Sequence, residues 1–150
     1  MSGMENNKSF NYFAYASNLK KSNLEECSGS KINNFLDGRL LDYGFRFNVK
    51  NADGKARANI IASESEDVFG AIYELENTAK EKLLASEPGY KLIEVNIETK
   101  TGYVPAVTFI SEEDMEGIYP AKDYLKLICE GAKEHKLPEE YLEFIVSMSK

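Results

Sequence analysis

The sequence predicts a single α+β domain in which a curved mixed β-sheet or barrel carries flanking helices. Three observations lead there. Strand-type patterns dominate the first half, then come a helix, a hairpin and two more helices, without the regular alternation of a doubly wound parallel sheet. The chain has 150 residues, the usual size for one hydrophobic core. Apolar residues make up 43% and aromatics 11%, enough to bury that core, and no repeat or linker divides the chain. The domain therefore spans 1–150, with an ordered core from about residue 10 to 149.

Asn11–Tyr15 is a short aromatic run of strand type, broken by Ala16-Ser17-Asn18. A short polar helix through Leu19, Leu24 and Cys27 follows. Ile32–Val49 is rich in β-formers, with bends or bulges expected at Asp37-Gly38 and Tyr43-Gly44. Within it Phe45, Phe47 and Val49 alternate with Arg46 and Asn48, the pattern of a half-buried strand. Asn51-Ala52-Asp53-Gly54 marks a turn into a strand at Ala58–Ala62. Acidic Glu64–Asp67 reads as a loop, and Val68–Leu75, nearly all apolar, as a central strand.

Thr78 with Glu81 fits a capping box that opens a helix. Ala79, Leu83 and Leu84 form its expected inward face. Pro88 and Gly89 stop it near Glu87, because the residue before a proline avoids helical geometry and glycine allows a sharp exit. Tyr90–Thr99 and Tyr103–Ile110 read as a hairpin turning at Lys100-Thr101-Gly102. Pro120 can open a helix reaching about Lys133, with an apolar stripe through Tyr124, Leu125, Ile128, Cys129 and Ala132. Pro138 starts the last helix, in which Tyr141, Phe144, Ile145 and Met148 recur at helical spacing.

A net charge of −7 and the lack of a Lys/Arg stripe exclude nucleic acid and an anionic membrane as main partners. The polar segment Met1–Phe10 has no signal-peptide core, and no apolar run is long enough to span a membrane. Cys27 and Cys129 are too few for a disulfide framework or a metal knuckle, and read as reduced, partly buried thiols of a cytoplasmic protein. His135, the single histidine, sits in Glu-His-Lys at a helix end and reads as solvated, which removes a Ser-His-Asp relay. No metal-ligand spacing occurs, and Glu112–Glu116 lacks the ligand pattern of a calcium loop, so it reads as a solvated loop. No phosphate-binding glycine pattern follows a strand. No cofactor is expected.

Two features can carry chemistry. At Tyr15-Ala16-Ser17-Asn18-Leu19, small and polar residues end an aromatic strand. Such a junction is either an ordinary turn or a set of backbone amides presented to an oxygen charge. Glu87 continues the stripe of Ala79 and Leu83 at the helix C-terminus. Burial and the helix dipole would both penalise its charged form and raise its pKa, which suits a proton shuttle near neutral pH. A solvated terminal glutamate is the other reading of the same residues.

Together these stretches resemble the γ-glutamylcyclotransferase family over nearly the whole domain. Tyr12-Phe13-Ala14-Tyr15-Ala16-Ser17-Asn18-Leu19 is similar to its Phe-Ala-Tyr-Gly-Ser-Asn-Leu/Met signature, and Arg39-Leu40 through Phe45-Arg46-Phe47 to the strand that follows. Val68-Phe69-Gly70-Ala71-Ile72-Tyr73 looks like the strand written Val-Trp-Gly-Val-Val-Tyr, and Leu84–Gly89 like Leu-Asp-x-x-Glu-Gly. Tyr124–Ala132 and Leu137–Tyr141 look like the family's C-terminal helices.

The resemblance implies a barrel-like mixed fold that works without cofactor on small γ-glutamyl amides. It puts the catalytic glutamate on Glu87. It also implies a substrate site at Tyr15, Ala16, Ser17, Asn18 and Leu19, with hydroxyls from Tyr15, Tyr90 and Tyr124 for the glutamyl carboxylate. The reaction implied is intramolecular aminolysis that releases 5-oxoproline and an amine. The assembly it allows for is a homodimer. The chain departs from the family at Ala16, where the signature has glycine, and at Pro88, inserted between Glu87 and Gly89. It also lacks the arginine that many bacterial relatives carry in the helix after the signature. These departures keep two other readings open: a binding module without turnover, and cyclising deprotection of a γ-glutamylated biosynthetic intermediate.

Overall fold

The computed structural model describes residues 8–150; the start of the polar segment Met1–Phe10, and of the expected 1–150 domain, lies outside them. Five strands close into a barrel in the order β1-β3-β2-β4-β5. They are β1 (Ser9–Ala14), β2 (Phe35–Lys50), β3 (Ala56–Glu76), β4 (Lys91–Thr99) and β5 (Gly102–Ile110). The helices are α1 (Lys21–Ser28), α2 (Lys80–Ala85), α3 (Lys122–Glu134) and α4 (Glu139–Ser147). This is the mixed barrel with flanking helices that the order of patterns predicts.

All pairings are antiparallel except the closing one, where β1 runs parallel to β5 at Tyr12 and Val107. Side-chain bonds reinforce that seam: Thr108 Oγ1 donates to the Phe13 carbonyl at 2.7 Å and Asn11 Nδ2 to the Pro105 carbonyl at 3.2 Å. Phe13, Phe45, Phe47, Ile60, Val68 and Ile97 fill one buried cluster with Ile128, Tyr141 and Ile145 of α3 and α4. Tyr12, Leu19, Leu24, Tyr73, Leu83 and Phe109 form a second beneath α1 and α2.

Several local expectations change. The acidic stretch Glu64–Asp67 is not a loop; β3 runs through it without interruption. Its charges are matched from β2: Arg46 grips the Glu66 carboxylate with both guanidinium nitrogens, and Ser63 donates to it as well. Opposite-charge pairs across strands let an acidic segment stay in a sheet. Two register shifts interrupt the β2–β3 ladder, one between Leu41 and Tyr43, where Asp42 has φ 62°, and one between Phe47 and Val49, while Asp37-Gly38 stays in regular pairing. Asn48 is buried, not outward-facing, because its amide donates to Asp114 of the otherwise exposed acidic loop.

The capping box does not form. Thr78 lies in a 3-10 turn, Asn77–Ala79, that leads into α2, and the residue preceding α2 is Ala79. Ala79 and Leu83 face inward as expected, but Leu84 is 37% exposed. Six residues make fewer than two turns, too short for a wide apolar face. In α4, Phe144 is likewise exposed while Tyr141 and Ile145 are buried. Cys27 and Cys129 are free and half-buried, and burial pushes both thiols up.

Candidate active site

The site begins where β1 ends. Gly70 of β3 lies so close to the Ala14 carbonyl that a Cβ there would approach it to 2.2 Å. Only glycine lets the two backbones come this near. Beyond Ala14 the chain turns through Tyr15 and Ala16 into a 3-10 turn, Ser17–Leu19. The Leu19 amide bonds the Ala16 carbonyl at 3.0 Å, which leaves the Ser17 and Asn18 amides without an acceptor inside the turn. Ala16 has φ −135° and ψ −126°, so alanine at the signature's glycine position carries no left-handed strain.

This turn is held from below. Gly131 of α3 packs against it, where a Cβ would meet the Lys20 nitrogen and Leu19 Cβ at 2.6 Å. The Tyr73 hydroxyl donates to the Leu19 carbonyl at 2.7 Å. His135 stands beside them, its Nε2 3.0 Å from the same carbonyl and 2.5 Å from the Tyr73 hydroxyl, its Nδ1 2.8 Å from Asp37. The expectation of a solvated histidine is thus wrong: His135 is 6% exposed, drawn inward by partners from the opening loop and β2.

Glu87 arrives from the other side, two residues past α2. A turn bonds its amide to the Leu84 carbonyl and its carbonyl to the Tyr90 amide, and Gly89, at φ 89°, completes the reversal. Its carboxylate is only 13% exposed. With Tyr12, Tyr15, Ala16, Ser17, Asn18, Ala58, Tyr90, Phe109 and Tyr124 it lines one cavity of about 20 Å³, room for about one water.

The tyrosines divide by how their hydroxyls are used. Tyr15 donates to the Phe109 carbonyl at 2.8 Å, and Tyr90 to the Ala58 carbonyl at 2.5 Å. Tyr124 instead accepts from the Ala58 amide at 3.0 Å, and Tyr12 accepts from Asn18 Nδ2 at 3.1 Å. The phenolic protons of Tyr12 and Tyr124 therefore remain for a ligand. Burial pushes all four phenols up, so they serve as neutral donors. Asn18, 3% exposed, is fixed by that bond and by Asn23, which donates to its Oδ1 at 2.9 Å.

A cation completes the arrangement. Arg57, near the start of β3, forms an ion pair with Glu87 and lies over the Tyr90 ring, 5.0 Å from its centroid. Its guanidinium is the counter-charge of Glu87, a partner that the sequence did not suggest.

A carboxylate, a loop with unbonded amides and two donor-ready phenols thus converge from distant parts of the chain. Residues 67–145 match the AIG2-like family. Over 147 residues the chain is 31% identical to human gamma-glutamylcyclotransferase, covering 91% of this chain and 77% of that protein. The chain belongs to the γ-glutamylcyclotransferase family. The bovine protein of that name is 30% identical over 149 residues, again covering 91% and 77%. A solved structure named "Gamma-glutamyl cyclotransferase" superposes with TM-score 0.82 at 29% identity, covering 91% of this chain and 85% of that one.

Among the residues expected at a γ-glutamylcyclotransferase-like site, Glu87, Tyr15, Ala16, Ser17, Asn18, Tyr90 and Tyr124 meet at the cavity. Leu19 does not: its side chain is fully buried, its amide is engaged within the turn, and its carbonyl serves as the anchor below. Sequence reasoning missed Tyr12, Ala58, Phe109 and Arg57. Tyr12 opens the signature run, but only its bond from Asn18 singles it out. Nothing local marks Arg57, a lone charge between two alanines.

Proposed function

We propose that this chain is a γ-glutamylcyclotransferase-type enzyme that releases 5-oxoproline and a free amine from a small γ-glutamyl amide. The observation that carries the reading is the Glu87 carboxylate facing the Ser17-Asn18 turn across a tyrosine-lined cavity, in a chain of this family. Glu87 takes a proton from the substrate's α-ammonium. The freed amine attacks the γ-carbonyl carbon of the same glutamyl group, and the lactam ring closes as the C–N bond to the leaving amine breaks. Glu87 returns its proton to that amine, which also takes up the second proton shed by the ring nitrogen, so the products are the neutral lactam and an ammonium.

The Ser17 and Asn18 amides face the developing oxygen charge, and the Tyr12 and Tyr124 hydroxyls donate to the substrate's remaining oxygens. Nucleophile and electrophile arrive on one molecule, so orientation supplies much of the acceleration, on the order of 7–11 kcal/mol. Among the described residues no cluster of three His, Cys, Asp or Glu is placed to hold a metal, and the scheme uses none. No helix among them is long and apolar enough to cross a membrane. The two free thiols fit a cytoplasmic setting.

One observation favours a second reading, a binding module without turnover: Glu87 is already paired with Arg57. Incubation of purified protein with a panel of γ-glutamyl amides, scored for 5-oxoproline by mass spectrometry, separates the two. Release from at least one amide is expected. Tight binding without release from any would establish the module instead. The released amine then tells a general γ-glutamyl amide substrate from a biosynthetic intermediate.

A further inference from the structure

We infer that Arg57 binds the α-carboxylate of the glutamyl group, and that its pair with Glu87 is a resting latch which the substrate opens. The inference rests on the reading of Glu87 as the base for the α-ammonium.

Arg57 and Glu87 are in direct contact, 16% and 13% exposed, with Arg57 stacked on the Tyr90 ring. Largely desolvated charges of this kind cannot be left alone, and here each has the other as its ion-pair partner. An α-amino acid carries the same pair of charges on a single carbon, an ammonium and a carboxylate. A zwitterion that enters between Arg57 and Glu87 replaces one matched pair by two: Glu87 with the ammonium, Arg57 with the carboxylate. No buried charge is orphaned at any stage. The guanidinium's forked donors suit a carboxylate, and an arginine is stiffer in that task than a lysine.

Two further observations agree. The cavity of about 20 Å³ takes a water but not an amino-acyl group, so something at its wall has to move. Glu87 is the charged residue of that wall, and a turn rather than a helix carries it. Arg57, by contrast, is anchored. The backbone on either side of it is bonded to tyrosines: the Ala56 amide to the Tyr119 carbonyl at 2.9 Å, the Ala58 amide to the Tyr124 hydroxyl at 3.0 Å, and the Ala58 carbonyl to the Tyr90 hydroxyl at 2.5 Å. The fixed cation is the reading head and the carboxylate on the turn is the part that yields.

The test uses a pair of ligands that differ only in the carboxylate. L-Norvaline carries it, 1-aminobutane does not, both keep the ammonium that pairs with Glu87, and neither has a γ-carbonyl to react. Calorimetry with the full chain should show the carboxylate-bearing amine bound about 10- to 100-fold more tightly, and Arg57→Gln should erase most of that preference. Should Arg57→Gln fail to fold, the double variant Arg57→Gln/Glu87→Gln leaves neither charge buried alone and carries the same comparison. A wild-type protein without the preference, or a variant that keeps it, overturns the inference. The proposed reaction fails separately. Loss of preference in the variant with no 5-oxoproline release by the wild type would leave Arg57 as a carboxylate-binding residue and refute turnover.

Discussion

At the scale of single residues, the site turns on side chains whose surroundings give them more than one meaning. Glu87 reads in the sequence as the last residue of a helix stripe; in the structure it is a nearly buried carboxylate on a turn, matched by a cation from β3. Glu87→Gln keeps the shape but removes the counter-charge of Arg57, so the variant should be less stable yet still fold, and lose about 10²–10⁴ in kcat as the acid/base group disappears. Near-normal turnover in a folded variant would remove Glu87 from the mechanism. Ala16 offers a second check. Its φ of −135° is not left-handed, but with ψ −126° it lies outside both the extended and the helical regions, so in Ala16→Gly easier adoption of this conformation offsets the added freedom of the unfolded chain and stability should change by less than about 1 kcal/mol. Ala16→Val adds methyl groups beside a cavity of only about 20 Å³. A urea titration should show the valine variant folded, and an activity assay should show it inhibited. Full activity would mean that the turn is not part of the substrate site.

At the scale of elements, the opening turn works as a platform because α3 and β3 press against it. Gly131 is the contact point, and its neighbours are backbone atoms that cannot rotate away. In an isolated helix Gly→Ala stabilises by about 0.8–1.0 kcal/mol. Here the added methyl has no room, so Gly131→Ala should instead destabilise by about 1–3 kcal/mol and lower activity as the turn shifts. A raised melting temperature with unchanged kcat would show that helix and turn are not coupled. The histidine beside this contact explains why the sequence misled. Helix-end position and charged neighbours predict exposure for His135, but its partners Leu19, Asp37 and Tyr73 come from three other elements. Local pattern carries no information about such meetings. The same limit hides Arg57, whereas Glu87 and the Tyr15–Asn18 run were legible because each sits at the end of an element with a clear period or break.

At the scale of the whole molecule, the order of patterns was enough to give a mixed barrel, because long runs of β-formers and three well-punctuated helices leave few ways to bury 43% apolar residues. What it could not give was the unbroken course of β3, since four acidic and polar residues in succession look like a loop until their partners are known. Those partners make a prediction about acid stability. Hydrogen bonds from Arg46, then from Ser63, hold the Glu66 carboxyl down at about 2, against a modest opposing effect of burial. A carboxyl depressed in the folded state stabilises it above its ordinary value of 4.5 and loses that contribution as pH falls towards 2. The pair is partly exposed, 29% and 31%, so solvent screening limits the effect to no more than ~1 kcal/mol. Glu66→Gln should therefore be less stable than wild type at pH 7 and converge with it near pH 2, as read from urea midpoints across that range. If the two proteins differ by the same amount at both ends, the ion pair does not hold the middle of β3 to β2.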